Sequence, residues 1–160
     1  MTEEVSVAPI ARDFDRWEAL LGIIRASFAY MDGVIDPPSS VHRLTTGSLR
    51  EKAAAEHGFL ALAGDEIAGC AFLAEKDDCF YLGKLAVAPA WQGRGVGRML
   101  MQAVETHALR VGKPILELQT RVELGANQRL FARLGFVETG RTAHAGFDRP
   151  TSVTMRKALA

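Results

Sequence analysis

The chain has 160 residues, 48% of them apolar and 24% charged, the proportions of one globular domain large enough to bury a core. Lysine plus arginine and aspartate plus glutamate both number 19, so the net charge is zero and no overall field draws the chain to nucleic acid or to an anionic membrane. The opening MTEEVSV is acidic and lacks a leader's apolar core, no run reaches the roughly 18 apolar residues of a membrane span, and Cys70 and Cys79 fit neither a metal pair nor a disulfide framework, so a cytoplasmic protein with two free thiols is expected.

Residues 5–10 are apolar and β-prone and are predicted to form the first strand. Asp13 is placed to cap the next helix, in which Phe14, Trp17, Leu20, Leu21, Ile24 and Phe28 recur at helical spacing; it is predicted to run to about Tyr30. The segment MDGVIDPPSS holds two prolines, a glycine and two aspartates and is predicted to be irregular. Ser39 or Ser40 can cap a second helix carrying Val41, Leu44, Leu49 and Ala53. Residues 59–63, 67–74 and 80–87 read as an antiparallel meander, turned at Gly64-Asp65 and at Lys76-Asp77-Asp78 and ended by Pro89. A glycine-rich turn over 93–97 opens into a helix with Val96, Leu100, Ala103, Val104, His107 and Val111 on one face, stopped by Gly112 and Pro114. A strand at 115–120, a short helix at 126–134 closed by Gly135, and strands at 136–139 and 152–156 complete the chain. The loop between the last two holds His144, Gly146, Asp148 and Pro150. With no repeat or linker, residues 1–160 are expected to form one α/β domain around a central sheet.

The informative stretch is LAVAPAWQGRGVGRMLM, residues 85–101, where a strand runs through a turn directly into a helix. Gly93, Gly95 and Gly97 remove side chains where a ligand must approach the backbone. The first turn of a helix leaves about four N–H groups unpaired at the positive end of its macrodipole, a ready site for phosphate or pyrophosphate. Arg94 and Arg98 add charge beside it. The run is G-x-G-x-G after antiparallel strands, not the dinucleotide fingerprint G-x-G-x-x-G, and no Gly-Lys-Ser/Thr marks a Walker A loop.

Leu85-Ala86-Val87-Ala88-Pro89 followed by Gln92-Gly93-Arg94-Gly95-Val96-Gly97 resembles the signature of the GNAT superfamily of acetyl-coenzyme A-dependent N-acetyltransferases, Q/R-x-x-G-x-G/A after a strand reading roughly L-x-V-x-P. A second family motif, an asparagine-bearing helix ending in L-G-F, is matched from Asn127 to Leu134-Gly135-Phe136. The resemblance covers nearly the whole chain. It implies a GNAT-like fold: a mixed and mostly antiparallel sheet of six to seven strands, about four flanking helices, and a splay between strands four and five. It also implies acetyl-coenzyme A as cofactor and no metal.

Roles follow from the same resemblance. Main-chain amides of Gln92, Gly93, Arg94, Gly95, Val96, Gly97 and Arg98 would bind the pyrophosphate. The pantetheine arm would lie along Leu85, Ala86 and Val87 and enter the splay, and an N–H near Val87 would stabilise the oxyanion of the tetrahedral intermediate formed by direct attack of an amine. Asn127 matches a residue that bonds the arm, and it also fits a helix cap. Many members carry a tyrosine as general acid four residues before the closing glycine; this chain has Phe131, which has no proton to give and is read as packing against the arm or the core. Candidate bases are Glu117, whose pKa would rise if buried mid-strand, Tyr81, Glu75 and His144.

The acceptor wall implied by the family comprises Phe28, Tyr30, Met31, Asp32, Ile35 and residues 36–40, with Asp32 and Asp36 able to pair with a cationic amine; ordinary turn and cap chemistry accounts for the same residues. The expected function is acetyl transfer from acetyl-coenzyme A to a primary amine of a small molecule or peptide, with a homodimer as a family habit. The alternative is a non-catalytic coenzyme A-binding sensor or scaffold, in which Phe131 marks lost catalysis.

Overall fold

The computed structural model describes residues 4–159; the first three residues of the acidic opening and the last alanine lie outside the described residues. Within them the order is β1 (Val5–Pro9), α1 (Trp17–Phe28), α2 (Thr46–Ala55), β2 (His57–Ala63), β3 (Glu66–Glu75), β4 (Phe80–Val87), α3 (Val96–Val111), β5 (Ile115–Arg121), α4 (Gly125–Arg133), β6 (Val137–Thr142) and β7 (Ser152–Ala158). The strands form one sheet ordered β1-β2-β3-β4-β5-β7-β6. Every neighbouring pair is antiparallel except β4 and β5, which α3 connects as a crossover, so the sheet is mixed. No helix among the described residues is long and apolar enough to cross a membrane.

Central β3 is buried over seven consecutive residues and therefore reads as continuously apolar. Val96, Leu100 and Val104 of α3 join Leu73, Phe80 and Leu116 in a core on one face of the sheet. Leu20 and Ile24 of α1, Leu49 of α2 and Phe72 of β3 form the core of the other.

The helix starts differ from the sequence expectation. Asp13 caps nothing: α1 begins at Trp17 without a side-chain cap, and Phe14 packs edge-on against Trp17 with ring centroids 4.8 Å apart. After Phe28 the chain tightens into a 3₁₀ turn, Ala29–Met31. Ser39 does cap, accepting the Val41 N–H at 3.2 Å, but only a 3₁₀ turn, Ser40–Arg43. The second helix starts later because Thr45 and Ser48 form a reciprocal capping box, a stronger start signal than a lone serine. Val41 and Leu44 thus lie outside α2, and a long irregular segment separates α1 from α2.

Two features of the sheet prepare the site. β4 and β5 pair only at Phe80↔Leu116 and Tyr81↔Glu117 and then part, which is the implied splay. An ion network fixes the point of parting. Glu117, 7% exposed, accepts from Lys76 Nζ at 2.8 Å and from Arg156 Nε at 2.9 Å. Arg156 also reaches Asp78 at 2.9 Å, so the β3–β4 turn, β5 and β7 are tied together there. The second feature is a β-bulge on the open side of β4, where Lys84 and Leu85 face the single Ala71 of β3 and Lys84 takes φ 50°. The Cys70 thiol donates to the Lys84 carbonyl at 3.4 Å; burial pushes that thiol up to about 12, so it stays a protonated donor.

Candidate active site

The splay opens into a cavity of about 930 Å³. Gln92 and Gly97 border it downstream of β4, and Lys84, Arg121 and His144 border it on the upstream side, with Leu85, Val87, Asn127 and Phe131 between.

At the downstream end the backbone is bare. Gly93 and Gly95 have φ of 77° and 83°, and a Cβ on either would meet nothing within 4 Å. Gly95 is the N-cap of α3 and offers no side chain, and the first bond back into the turn is Met99 N–H to the Gly95 carbonyl at 3.0 Å. The N–H groups of Val96, Gly97 and Arg98 therefore find no protein acceptor among the described residues, and they stand at the positive end of a 16-residue helix. The Val96 side chain is core, so only its N–H is on offer. Arg94 lies with its guanidinium 5.0 Å from the Trp91 ring centre, and both Arg94 and Arg98 are exposed. The Gln92 amide donates to the Val87 carbonyl at 3.2 Å and so ties the loop to the end of β4. Bare donors, a helix start and flanking arginines suit a diphosphate.

Along the middle of the cavity, Leu85 and Val87 present their side chains, while Ala86 turns into the core. Phe131 lines the opposite side, its ring 5.8 Å from that of Phe136 at 72°. Asn127 is not the cap of α4, which begins after Leu124. Its Nδ2 instead donates to the Tyr30 hydroxyl at 2.9 Å, joining α4 to the turn after α1. The Val87 N–H donates to Ser27 Oγ at 3.3 Å, a long bond to a side chain able to turn away.

The candidate bases separate by environment. Glu117 does not have the raised pKa expected of it: burial acts upward, but hydrogen bonds from Lys76 and Arg156 outweigh it and hold the carboxyl below its usual range. Glu117 does not line the cavity either; it is the paired carboxylate at the base of the splay. Glu75 lies outside the cavity as well, 3.5 Å from Lys113 Nζ. Tyr81 does line the cavity, with Lys76 Nζ 4.7 Å from its ring centre, but burial raises its pKa above the ordinary 10, so at neutral pH it keeps its proton and cannot act as a base. His144 is different. Thr151 Oγ accepts the His144 N–H at 2.9 Å and pairs with Nδ1, while its own proton points to the Thr142 carbonyl at 3.4 Å. The direction of the Nδ1–Thr151 bond follows the ring's tautomer, and in the tautomer protonated at Nδ1 it is Nε2 that keeps a lone pair. Burial, with Arg121 and Arg43 nearby, lowers the His144 pKa, so the ring is neutral at pH 7.

Phe28, Tyr30, Met31 and Ile35 line the cavity. Asp36 does not line the cavity; Arg149 takes its carboxylate at 3.3 Å, and its N–H donates to Glu123 Oε2 at 3.1 Å. Asp32 accepts from His42 at 2.7 Å and is likewise absent from the lining. The expected acidic wall is replaced by Arg43, Lys52, Lys84 and Arg121, and among the described residues no aspartate or glutamate lines the cavity. Sequence reasoning missed these cations, together with Ser27 and Thr151. One signal was present: Lys84 interrupts an otherwise apolar strand.

The family model described as "Acetyltransferase (GNAT) family" matches residues 17–136. The chain is 29% identical over 153 residues to an "IAA acetyltransferase" of Azospirillum brasilense, an alignment covering 94% of this chain and 97% of that one. Similar solved structures include a PaiA N-acetyltransferase from Thermoplasma acidophilum in complex with coenzyme A, with TM-score 0.81 and 14% identity over 98% of this chain and 99% of that one. Another is the ribosomal-protein-S18-alanine N-acetyltransferase from Escherichia coli, with TM-score 0.74 and 18% identity over 98% and 95%.

Proposed function

The chain belongs to the GNAT acetyltransferase family, and from that premise we propose that it moves an acetyl group from acetyl-coenzyme A to a primary amine of a small acceptor. The observation that carries this reading is the run of bare N–H donors at the start of α3, opening directly onto the splay between β4 and β5. The coenzyme A in the Thermoplasma structure, on a closely similar fold, supports the same donor.

In this reading Gln92 to Arg98 hold the diphosphate, and Leu85, Val87, Asn127 and Phe131 line the channel for the arm. Bound acetyl-coenzyme A supplies an acyl carbon activated as a thioester. The new C–N bond forms as the C–S bond breaks, and one proton must leave the nitrogen. An alkylammonium has a pKa of about 10.4 in water, so the site must favour the neutral amine and supply a group to receive the proton it loses. His144 is the group fitted for it: the ring is neutral, and in the tautomer that donates from Nδ1 to Thr151 its Nε2 is the basic nitrogen. The Val87 N–H is the donor for the developing oxyanion once Ser27 releases it. Phe131 gives no proton, so the departing thiolate, with a pKa of about 8.5 by analogy with cysteine, takes one from water.

The test is thiol release from acetyl-coenzyme A by the purified chain across a panel of primary amines. Amine-dependent release is expected. Absence of coenzyme A binding at millimolar concentration would overturn the reading.

A further inference from the structure

Four cationic side chains, Arg43, Lys52, Lys84 and Arg121, line the cavity, and among the described residues no carboxylate does. Lys52 is answered by Glu56 at 2.8 Å. Arg121 spends both terminal nitrogens on main-chain carbonyls, Pro37 at 2.6 Å and Pro38 at 3.2 Å, with Glu123 close enough to offset part of its charge. Lys84 and Arg43 have no acidic partner among the described residues; Lys84 reaches only the Ser40 hydroxyl, at 2.8 Å. Burial, then Lys52 and Arg43, pull the Lys84 pKa below the ordinary lysine range, and Glu56 offsets only part of this. Lys84 is also carried at φ 50° in the bulge, a conformation that lysine adopts at a cost. Because β4 runs from Lys84 through Val87 to the glycine loop, this charge lies upstream of Val87, roughly 10 Å along the strand, on the side away from the diphosphate cradle.

The remaining lining mixes apolar side chains with hydroxyls such as Ser39 and Ser40. Phe28, Met31 and Ile35 face the cavity, and the 36–38 segment is pinned across it by Arg121 and by the Asp36–Arg149 pair. A concave cavity of about 930 Å³ suits a small molecule. Resting on the transferase reading above, we propose that the acceptor is a small aminocarboxylate with an apolar body, its carboxylate held by Lys84 and Arg43 while its amine turns toward His144. The shortage of negative charge in the lining is what the acceptor makes good.

Binding of product-like probes tests this without turnover. By titration calorimetry, N-acetyl-L-leucine is expected to bind the wild-type chain about tenfold to a hundredfold more tightly than N-acetyl-L-leucinamide, the range a charged hydrogen bond supports. Lys84→Gln and Arg43→Gln should each shrink that ratio, with affinity for coenzyme A unchanged. Arg43 is exposed, so its variant stands as a check if Lys84→Gln alters the bulge. Equal affinity for acid and amide, no binding of the acid at millimolar concentration, or a ratio indifferent to both variants overturns the proposal, even if acetyl transfer to other amines is seen. An intact ratio without amine-dependent thiol release overturns the transferase reading instead and leaves the carboxylate site standing.

Discussion

One end of the cavity borders main-chain N–H groups from a single uninterrupted run at the start of α3; the rest of its polar lining includes Arg43, Lys84, Arg121 and His144, side chains drawn from separate segments of the chain. The first end is local. Its shape needs only glycines that accept positive φ and the start of a helix, and neither depends on what packs behind. The second exists only after a bulge has turned Lys84 out of β4, a pinned loop has brought Arg43 alongside, and Thr151 has fixed the His144 ring. Substitutions at the first end should therefore act on donor binding alone, and substitutions at the second on acceptor binding and turnover.

The largest effect is expected at Gly95. Gly95→Asp places a negative charge at the phosphate site on a residue held at φ 83°. Loss of charge-assisted bonds to the diphosphate should raise the coenzyme A dissociation constant on the order of 100-fold or more, measured by calorimetry. Lys84→Gln should leave that constant alone. If the two variants affect coenzyme A equally, the two ends are not separate sites.

Next comes His144→Gln, which keeps a hydrogen-bonding side chain but removes the base. Turnover should fall by about 10²-fold or more, with the KM for acetyl-coenzyme A unchanged. The sign of the pH dependence follows from burial and the nearby Arg121 and Arg43, which lower the folded pKa below the ordinary 6.5. The active, neutral form is present above that folded value, so kcat at saturating amine should show an acid limb as pH drops through an apparent pKa below 6.5. The variant should lack that acid limb. A limb that persists in the variant assigns the proton to another group.

The same contrast explains which parts were legible in the sequence. The glycine run, the meander and the closing L-G-F each rest on neighbours in the chain, and each stands where it was expected. The acceptor end was misread because its polarity comes from contacts made across the fold. Asp36 is a free acid in the sequence pattern, but Arg149, far along the chain, holds its carboxylate in the fold. Glu117 looked like a buried acid with a raised pKa until Lys76 and Arg156 were seen on both of its oxygens. Lys84 carried the one usable hint. Leu82 and Ala86 are buried, and strict alternation places Lys84 between them on the same face, a conflict that a bulge resolves.

Glu117 offers a smaller test, of the frame on which both ends rest. Glu117→Gln removes the charge that gathers Lys76 and Arg156 where β4 and β5 part. Lys76 is half exposed and Arg156 keeps Asp78, so the cost should be modest, about 1–2 kcal/mol by denaturant unfolding. The folded pKa of Glu117 lies below its unfolded value, so its contribution is full above about 4.5 and is lost as pH falls through the folded pKa. The stability difference between wild type and variant should therefore be flat near neutrality and shrink toward acid. A loss of turnover well beyond the loss of folded protein would return Glu117 to the chemistry.

The smallest effect is expected at Phe131. Its ring lines the cavity and meets Phe136 edge-on, so a hydroxyl added by Phe131→Tyr has the cavity to enter and little core to disturb. The group it would serve is a thiolate whose conjugate acid has a pKa of about 8.5, only slightly above neutral pH. Expelling such a leaving group asks for little help, so a new proton donor should raise the rate at pH 7 by about tenfold at most. Because the donor's advantage depends on the thiol being the favoured form, any gain should fade as pH rises past that value. A rate lower by more than about tenfold, with unfolding unchanged, would show that the apolar face of Phe131 is what the channel requires.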